Sequence, residues 1–121
     1  MRAKLRRLHS PDVVDLAEYS PSESFGVLVQ AMIGPSGGVG EESFDFVICT
    51  ADWFDKHASG PFVLGRHYLF VRRYDYSELV RFVVEFCSTC TAETWAAVAA
   101  KVGRLGKWEF EDYRDAVIGS G

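Results

Sequence analysis

Apolar residues recur at every second position in two neighbouring segments, residues 25–33 and residues 43–50. Successive side chains of a β-strand point to opposite faces, so this spacing predicts two strands. The positions that share one face are Phe25, Val27, Val29, Ala31 and Ile33 in the first segment and Phe44, Phe46 and Ile48 in the second. The other face of the first segment is also largely apolar, which predicts a central strand. Residues 34–40 contain four glycines and a proline, and we expect a hairpin there.

Two further segments extend the expected sheet. Residues 1–9 can form a strand that Ser10 and Pro11 stop, and this strand is a candidate for a sheet edge. Residues 62–73 are apolar and β-branched or aromatic at both ends, and they predict another strand that a bulge or bend interrupts at residues 65–67. In the returning strand of the hairpin, alternation places Asp45 on the face away from the main core.

Three segments carry helix signals. Residues 50–52 can cap a short helix that the Gly-Pro pair at residues 60–61 ends. Residues 75–78 have the spacing of a capping box at the start of a second helix. A third helix begins within residues 91–94, and the glycines within residues 103–106 end it. The apolar stripes of these last two helices consist of Leu79, Phe82, Val83 and Phe86 and of Trp95, Val98, Ala99 and Val102.

The order of these elements favours an α+β fold, because strands come first, followed by a short helix, a strand and two helices. We expect an antiparallel or mixed sheet of about four to five strands with helices packed on one face. Residues 108–111 predict a short strand or a docked tail. We expect residues 1–121 to form one domain. The uncovered sheet face would be mixed but distinctly apolar, so the tail or a partner would cover it. Its residues are Leu28, Gln30, Met32, Asp45, Val47 and Cys49.

Composition supports a folded, water-soluble domain. The chain has 121 residues, of which 48% are apolar and 14% aromatic, so it can bury a real core and is not a disordered regulator. The net charge of -4 and the pI of about 5.3 argue against a nucleic-acid binder held by phosphate contacts. No segment approaches the ~20 apolar residues of a membrane span. The N-terminus lacks the apolar run of a signal peptide, so we expect a cytoplasmic protein with reduced thiols.

Charge is segregated along the chain. Four basic residues lie within residues 1–10, whereas residues 41–55 carry five acidic residues and no basic one. A second acidic segment follows Trp108, a residue type that is common both at interfaces and in small cores. If the two acidic segments meet in space, they form a patch for a partner; otherwise they are solvated surface. The residues predicted to bind a partner are Glu41, Glu42, Asp45, Asp52, Asp55, Trp108, Glu109, Glu111 and Asp112.

The sequence offers few groups for cofactor or metal chemistry. The glycine-rich segment at residues 34–40 lacks the Gly-Lys-Ser/Thr ending of a phosphate loop and precedes a strand, which argues against nucleotide binding. Cys87 and Cys90 form a CxxC pair, but at the end of a helix rather than at its start. A zinc site needs about four ligands, and the other candidates are scattered: Cys49, His9, His57 and His67. We therefore predict no metal and no cofactor, and we interpret the cysteines as small buried thiols.

Catalytic groups are equally sparse. His67 beside Arg66 can in principle take part in acid–base chemistry, but nothing in the sequence brings a carboxylate to it. Ser36 lacks the Gly-x-Ser-x-Gly context of a nucleophile elbow. Because no nucleophile, base and acid converge, we predict that the chain is not an enzyme.

Several motifs carry a resemblance to a known family through their combined order and spacing. They are LHSPD at 8–12, FGVLVQAMIGP at 25–35, GEESFDFVICT at 40–50, Trp53, GRH at 65–67, YDY at 74–76 and WEFEDY at 108–113. From roughly Leu5 to Arg114, the chain resembles the immunity protein 8 family, small α+β proteins associated with bacterial polymorphic toxin systems. The resemblance implies a non-enzymatic antidote that binds a cognate toxin in the cytoplasm. It supplies no set of binding residues, so those named above come from charge and exposure.

Three functions are compatible with the sequence. An acidic immunity protein can occupy the basic active-site cleft of a toxin, with carboxylates in place of phosphates. Alternatively, the uncovered sheet face forms the homodimer of a structural or regulatory module through Leu28, Met32 and Val47. In the third reading, His67 and the CxxC pair serve a metal-dependent or acid–base enzyme.

Overall fold

The structure, a computed structural model, describes residues 1–111. Five strands and three helices lie within these residues. They are β1 (Ala3–His9), β2 (Gly26–Pro35), β3 (Glu42–Cys49), α1 (Ala51–His57), β4 (Tyr68–Phe70), α2 (Tyr76–Thr89), α3 (Trp95–Val102) and β5 (Lys107–Trp108). This content gives the α+β class that the sequence predicts.

The five strands form one mixed sheet, with β1, β2, β3 and β4 in that order. β1, β2 and β3 pair antiparallel, whereas β4 runs parallel to β3. β5 pairs antiparallel with Phe44 and Asp45 in the first half of β3, and β4 pairs with Val47 to Cys49 in the second half. Because β2 occupies the other side of β3, β5 and β4 lie one after the other along the same side. The predicted edge position of β1 and central position of β2 are confirmed.

The main core lies between one sheet face and the two longer helices. Phe44 and Ile48 of β3 belong to the same buried cluster as Val83 of α2 and Val98 of α3. Complete burial of such an apolar side chain contributes on the order of 2 kcal/mol. The helices therefore cover the face that the alternation in the sequence assigns to the core, and Asp45 lies on the opposite face, as expected.

Each helix begins at a side chain that accepts a hydrogen bond from the first turn. The pairs are Thr50 with the amide of Trp53, Asp75 with the amide of Glu78, and Thr94 with the amide of Ala97. Loss of a cap of this kind typically costs ~1 kcal/mol. All three predicted helices are present, and polar residues of the predicted types fix their starts.

The strand predicted over residues 62–73 is wrong in its length, because only Tyr68–Phe70 pairs with the sheet. β4 is parallel to β3, so the chain must return along the whole sheet before it can pair. Residues 58–67 make this return and lie outside any strand. His67 has a positive φ of 67°. It ends a turn just before β4, and this turn is the irregularity that the sequence predicts at residues 65–67.

The apolar stripe of α2 also differs from the prediction in one residue. Leu79, Val83 and Cys87 are buried, and their spacing of four residues follows one line along the helix. Phe86 is half-buried beside them. Phe82 lies off this line and is 45% exposed.

Candidate functional site: the acidic sheet edge and the face opposite the core

The pairing of β3 with β5 brings the start of the first acidic segment beside the second, whereas Asp52 and Asp55 lie in α1, beyond the other end of β3. β5 pairs with Phe44 and Asp45 of β3. Beyond β5 the contact continues, because the amide of Glu109 donates to Ser43 O at 3.0 Å. The first turn after β5 therefore lies beside the start of β3, so part of the predicted patch forms. We call this part the acidic sheet edge and define it by Glu41, Glu42, Glu109 and Glu111.

Three of the predicted carboxylates are engaged in surface ion pairs. These are Glu41 with Arg7 at 2.8 Å, Asp52 with Lys56 at 3.1 Å and Glu111 with Arg66 at 2.8 Å. An exposed pair contributes only ~0–1 kcal/mol to stability. Each partner cation also offsets part of the long-range attraction that its carboxylate exerts on a basic protein.

Glu42 and Trp108 fasten elements of the fold to one another. Glu42 Oε1 accepts a hydrogen bond from Trp95 Nε1 at 2.6 Å and from Trp108 Nε1 at 2.9 Å. The Trp108 ring is stacked on Phe44, with 6.4 Å between ring centroids and 8° between planes. Indole N–H groups usually find a partner when they are buried, and one carboxylate satisfies both. Glu42 thus links β3 to α3 and β5, while Trp108 pins the end of the described chain to the core.

The remaining predicted residues differ in their availability. Glu109 Oε1 accepts from the amide of Ser43 at 2.8 Å. Asp55 is exposed on α1 and forms none of the ion pairs found within residues 1–111. Asp112 lies outside the described residues.

A polar row crosses the sheet face opposite the core. His9 of β1 stands opposite Gln30 of β2, Gln30 opposite Asp45 of β3, and Asp45 opposite Lys107 of β5. Gln30 Nε2 donates to Asp45 Oδ2 at 3.3 Å. Asp45 Oδ1 and His9 Nδ1 are buried without a hydrogen-bond partner among the described residues. A buried unsatisfied polar atom costs about 1–3 kcal/mol, so this row destabilises the fold.

Apolar side chains surround the polar row. Leu28, Met32 and Val47 are half-buried. α1 covers one end of this face, where Trp53 lies so close to Gly26 that a Cβ there would meet the indole ring. We call the remainder the open sheet face. It is defined by Leu28, Gln30, Met32, Asp45 and Val47.

The sequence places Gln30 and Asp45 on one face but does not predict the row. Strand register decides which residues stand opposite one another. A register shift within β1, between Leu5 and Arg7, decides that His9 faces Gln30. Nothing in the local pattern marks Lys107 as the neighbour of Asp45, because their pairing joins segments far apart in sequence.

The cysteines lie in surroundings that suppress thiol chemistry. Cys49, Cys87 and Cys90 are free and buried. Burial raises the pKa of Cys87 to about 12 and also raises the pKa values of Cys49 and Cys90. Thiolates rather than thiols attack electrophiles and bind metals. Within residues 1–111, no group of three or more His, Cys, Asp and Glu side chains is arranged to hold a metal ion.

The side chains of Arg66 and His67 anchor the loop before β4 through polar contacts. Arg66 pairs with Glu111, and His67 Nε2 lies 2.7 Å from the carbonyl oxygen of Gly103. Both contacts reach the segment that follows α3. The two side chains therefore connect β4 to the segments before and after β5, and the contact that the His67 ring makes is with a backbone carbonyl.

The family model described as Immunity protein 8 matches residues 3–113, which is nearly the whole chain. The chain belongs to the Immunity protein 8 family. No curated protein and no solved structure matches it. The Immunity protein 8 match includes all five strands and all three helices, so the acidic sheet edge and the open sheet face both lie in its matched part. None of the helices within residues 1–111 is long and apolar enough to cross a bilayer.

Proposed function

We propose that this immunity protein binds a cognate bacterial polymorphic toxin in the cytoplasm and neutralises it, without catalysis, by covering the toxin's active site with an acidic surface. The observation that carries the proposal is the family match over residues 3–113. It is supported by the acidic sheet edge, where the start of β3 adjoins the segment after Trp108, and by the net charge of -4. Residues 1–121 would act as one binding domain.

Electrostatic attraction between the acidic protein and a basic toxin is the mechanism of the proposed binding. Many toxins that attack nucleic acids have basic clefts, and carboxylates can occupy the positions of phosphates there. Opposite potentials on the two proteins raise the rate of encounter and fix the orientation of the complex. This effect depends on the charge that remains after internal pairing.

The carboxylates should therefore contribute unequally. Asp45 and Asp55 form no ion pair within the described chain, whereas Glu41 shares its charge with Arg7. Glu42 serves two indoles and is the least suitable residue to replace. We expect Asp45 and Asp55 to carry most of the steering that can be removed without damage to the fold, and Glu41 to contribute less because Arg7 offsets part of its charge.

The first experiment is co-expression with candidate toxin domains encoded beside this chain. We expect the chain to restore growth against one of them and to co-purify with it. No rescue and no complex from well-folded protein would refute the immunity function. A mass that rises with concentration in the purified protein would instead favour the homodimeric module, with Leu28, Met32 and Val47 of the open sheet face at its interface.

The steering surface is tested by the triple variant Glu41→Gln, Asp45→Asn, Asp55→Asn. We expect its association rate with the toxin domain to fall about tenfold at low salt, with a weaker dependence on salt. The matched control is Asp12→Asn, Glu18→Gln, Glu93→Gln, which removes the same charge from exposed positions elsewhere. If both triple variants associate at the same rate, attraction comes from net charge alone and the acidic surface has no special part.

A further inference from the structure

The outer side of β4 presents backbone hydrogen-bonding groups that no strand within residues 1–111 uses. β3 forms hydrogen bonds with the carbonyl of His67 and the amide of Val71. In a parallel ladder alternate residues face the neighbouring strand, so Leu69 also faces β3. The amides and carbonyls of Tyr68 and Phe70 therefore point outwards, and among the described residues β4 pairs only with β3.

A groove lies between this side of β4 and α2. It has a volume of about 440 Å³, and its lining includes Leu69 of β4 and Leu79 of α2. Phe70 and Phe82 also line it and are 48% and 45% exposed. A strand added beside β4 would direct alternate side chains to the side of the sheet that carries Leu69 and α2, which is the side of the groove.

We propose that the toxin docks here, through an extended apolar segment that adds a sixth strand to the sheet beside β4. This inference rests on the proposed immunity function and names the contact within it. Strand addition needs outward backbone groups for affinity and a groove for alternate side chains for specificity. Tyr68 and Phe70 supply the first, and the groove beside α2 supplies the second.

The charges around β4 specify the toxin segment further. Arg72 is exposed directly after the strand and belongs to none of the ion pairs within residues 1–111. The charged residues that line the groove are of both signs: Arg73, Arg81, Asp75, Glu78 and Glu85. Among the described residues, Arg72 is therefore the unpaired charge that lies beside β4 outside the groove. At the other end, Arg66 is neutralised by Glu111. The toxin segment should therefore be apolar along Tyr68 to Phe70 and acidic where it passes Arg72, which fixes its direction.

One feature of the edge disfavours a second copy of this chain as the occupant. Arg72 is exposed directly beside β4 and belongs to none of the ion pairs within residues 1–111. Charged residues beside an exposed edge are a known device against edge-to-edge self-association.

Amide hydrogen exchange on the full chain tests the pairing directly, and the probe is the candidate toxin domain that the co-expression experiment identifies. In the free chain we expect fast exchange at Tyr68 and Phe70 and slow exchange at Leu69 and Val71, whose amides face β3. In the complex, the amides of Tyr68 and Phe70 should exchange at least about tenfold more slowly. Unchanged exchange at both residues, in a complex that restores growth, would overturn the proposal.

Two pairs of variants complete the test. Phe70→Pro removes an outward amide that β3 does not use, and Phe70→Ala removes only the ring. We expect the proline variant to bind the toxin domain about fivefold more weakly than the alanine variant, since a hydrogen bond contributes about 1 kcal/mol. Arg72→Glu should weaken binding about tenfold. The matched control Arg2→Glu makes the same charge change near β1, at the far side of the sheet, and should leave binding unchanged.

The outcomes separate this inference from the proposed function. Failure of the wild-type chain to bind the toxin domain would refute the immunity function itself. Tight binding that Phe70→Pro and Arg72→Glu leave intact would place the toxin elsewhere. A dimer of the free chain that Phe70→Pro dissociates would make a second copy the occupant. Slow exchange at Leu69 and Val71 in the proline variant shows that β4 still pairs with β3, so weak binding would not reflect unfolding.

Discussion

The acidic side chains of this protein differ in role because different groups lie opposite them. Glu42 accepts from two indoles, and Glu109 accepts from the backbone amide of Ser43. Asp45 has one oxygen on Gln30 and one buried oxygen without a partner in the described chain. The first two carboxylates satisfy donors that would otherwise be unpaired, so they stabilise the fold. Asp45 has an unsatisfied acceptor that is buried, so it costs the fold stability and can serve a partner only through its charge.

The three thiols give a test of the metal and redox alternatives at the residue scale. Burial raises the pKa values of Cys49, Cys87 and Cys90, so we expect almost no thiolate at neutral pH. A maleimide reagent should modify none of them in the native protein and all of them in denaturant. The matched control is Ser59→Cys, which introduces a thiol at an exposed loop position and should react roughly a hundredfold faster. Rapid native modification of Cys87 or Cys90 would reopen the metal and redox interpretations.

The position of β5 depends on one glycine that precedes it. A Cβ on Gly106 would lie 2.8 Å from the carbonyl carbon of Phe44 and 3.0 Å from the amide nitrogen of Asp45. These atoms belong to the backbone of β3, which cannot move aside without disturbing its pairing with β2. The acidic sheet edge therefore exists only because the chain approaches β3 without a side chain at this point.

We expect Gly106→Ala to lower the free energy of unfolding by about 1–3 kcal/mol, because overpacking forces the backbone to shift. Urea unfolding followed by tryptophan fluorescence measures this, and Trp108 lies next to the changed contact. Gly65→Ala is the matched control, since nothing lies within 4 Å of a Cβ there, and its effect should stay within about 0.5 kcal/mol. Equal stability of the two variants would show that β5 does not depend on the close approach of Gly106.

The elements that the sequence predicts well are those whose signals are local. Alternating apolar residues define β2 and β3, and the caps Thr50, Asp75 and Thr94 fix the starts of the helices. The length of β4 could not be predicted, because parallel pairing depends on how far the chain must travel from α1. The role of Glu42 was also hidden, since its two indole donors lie 53 and 66 residues further along the chain. Contacts of that separation leave no mark in a local pattern.

At the scale of the whole molecule, two surfaces of different chemistry adjoin along β3. One is the β4 edge with its groove, and the other is the acidic sheet edge at β5. The pair formed by Arg66 and Glu111 connects them at 2.8 Å. A toxin that adds a strand beside β4 would therefore extend towards the carboxylates near β5. Strand addition would supply affinity and register, and the carboxylates would supply the encounter rate.

At Asp45 we expect the stability of the fold and the binding of the toxin to favour different side chains. The variant Asp45→Asn replaces a partly unsatisfied charge on the open sheet face by a neutral amide that can still accept from Gln30. We expect the free energy of unfolding to rise by up to about 1 kcal/mol, because a carboxylate oxygen buried without a donor in the described part of the chain, such as Asp45 Oδ1, is more costly than an amide group in its place. The association rate with the toxin domain should fall at the same time.

Asp55→Asn makes the same change of charge at an exposed position of α1 and provides the control. Its unfolding free energy should stay within about 0.5 kcal/mol of the wild-type value, since surface substitutions away from special contacts have small effects. Because the two variants have the same net charge, a difference between their stabilities isolates the burial of Asp45. A loss of stability in Asp45→Asn would mean that the fold needs this carboxylate, and its unpaired oxygen would no longer argue for a role in binding. A gain in stability together with slower association would identify Asp45 as a residue kept for the toxin at the expense of the fold.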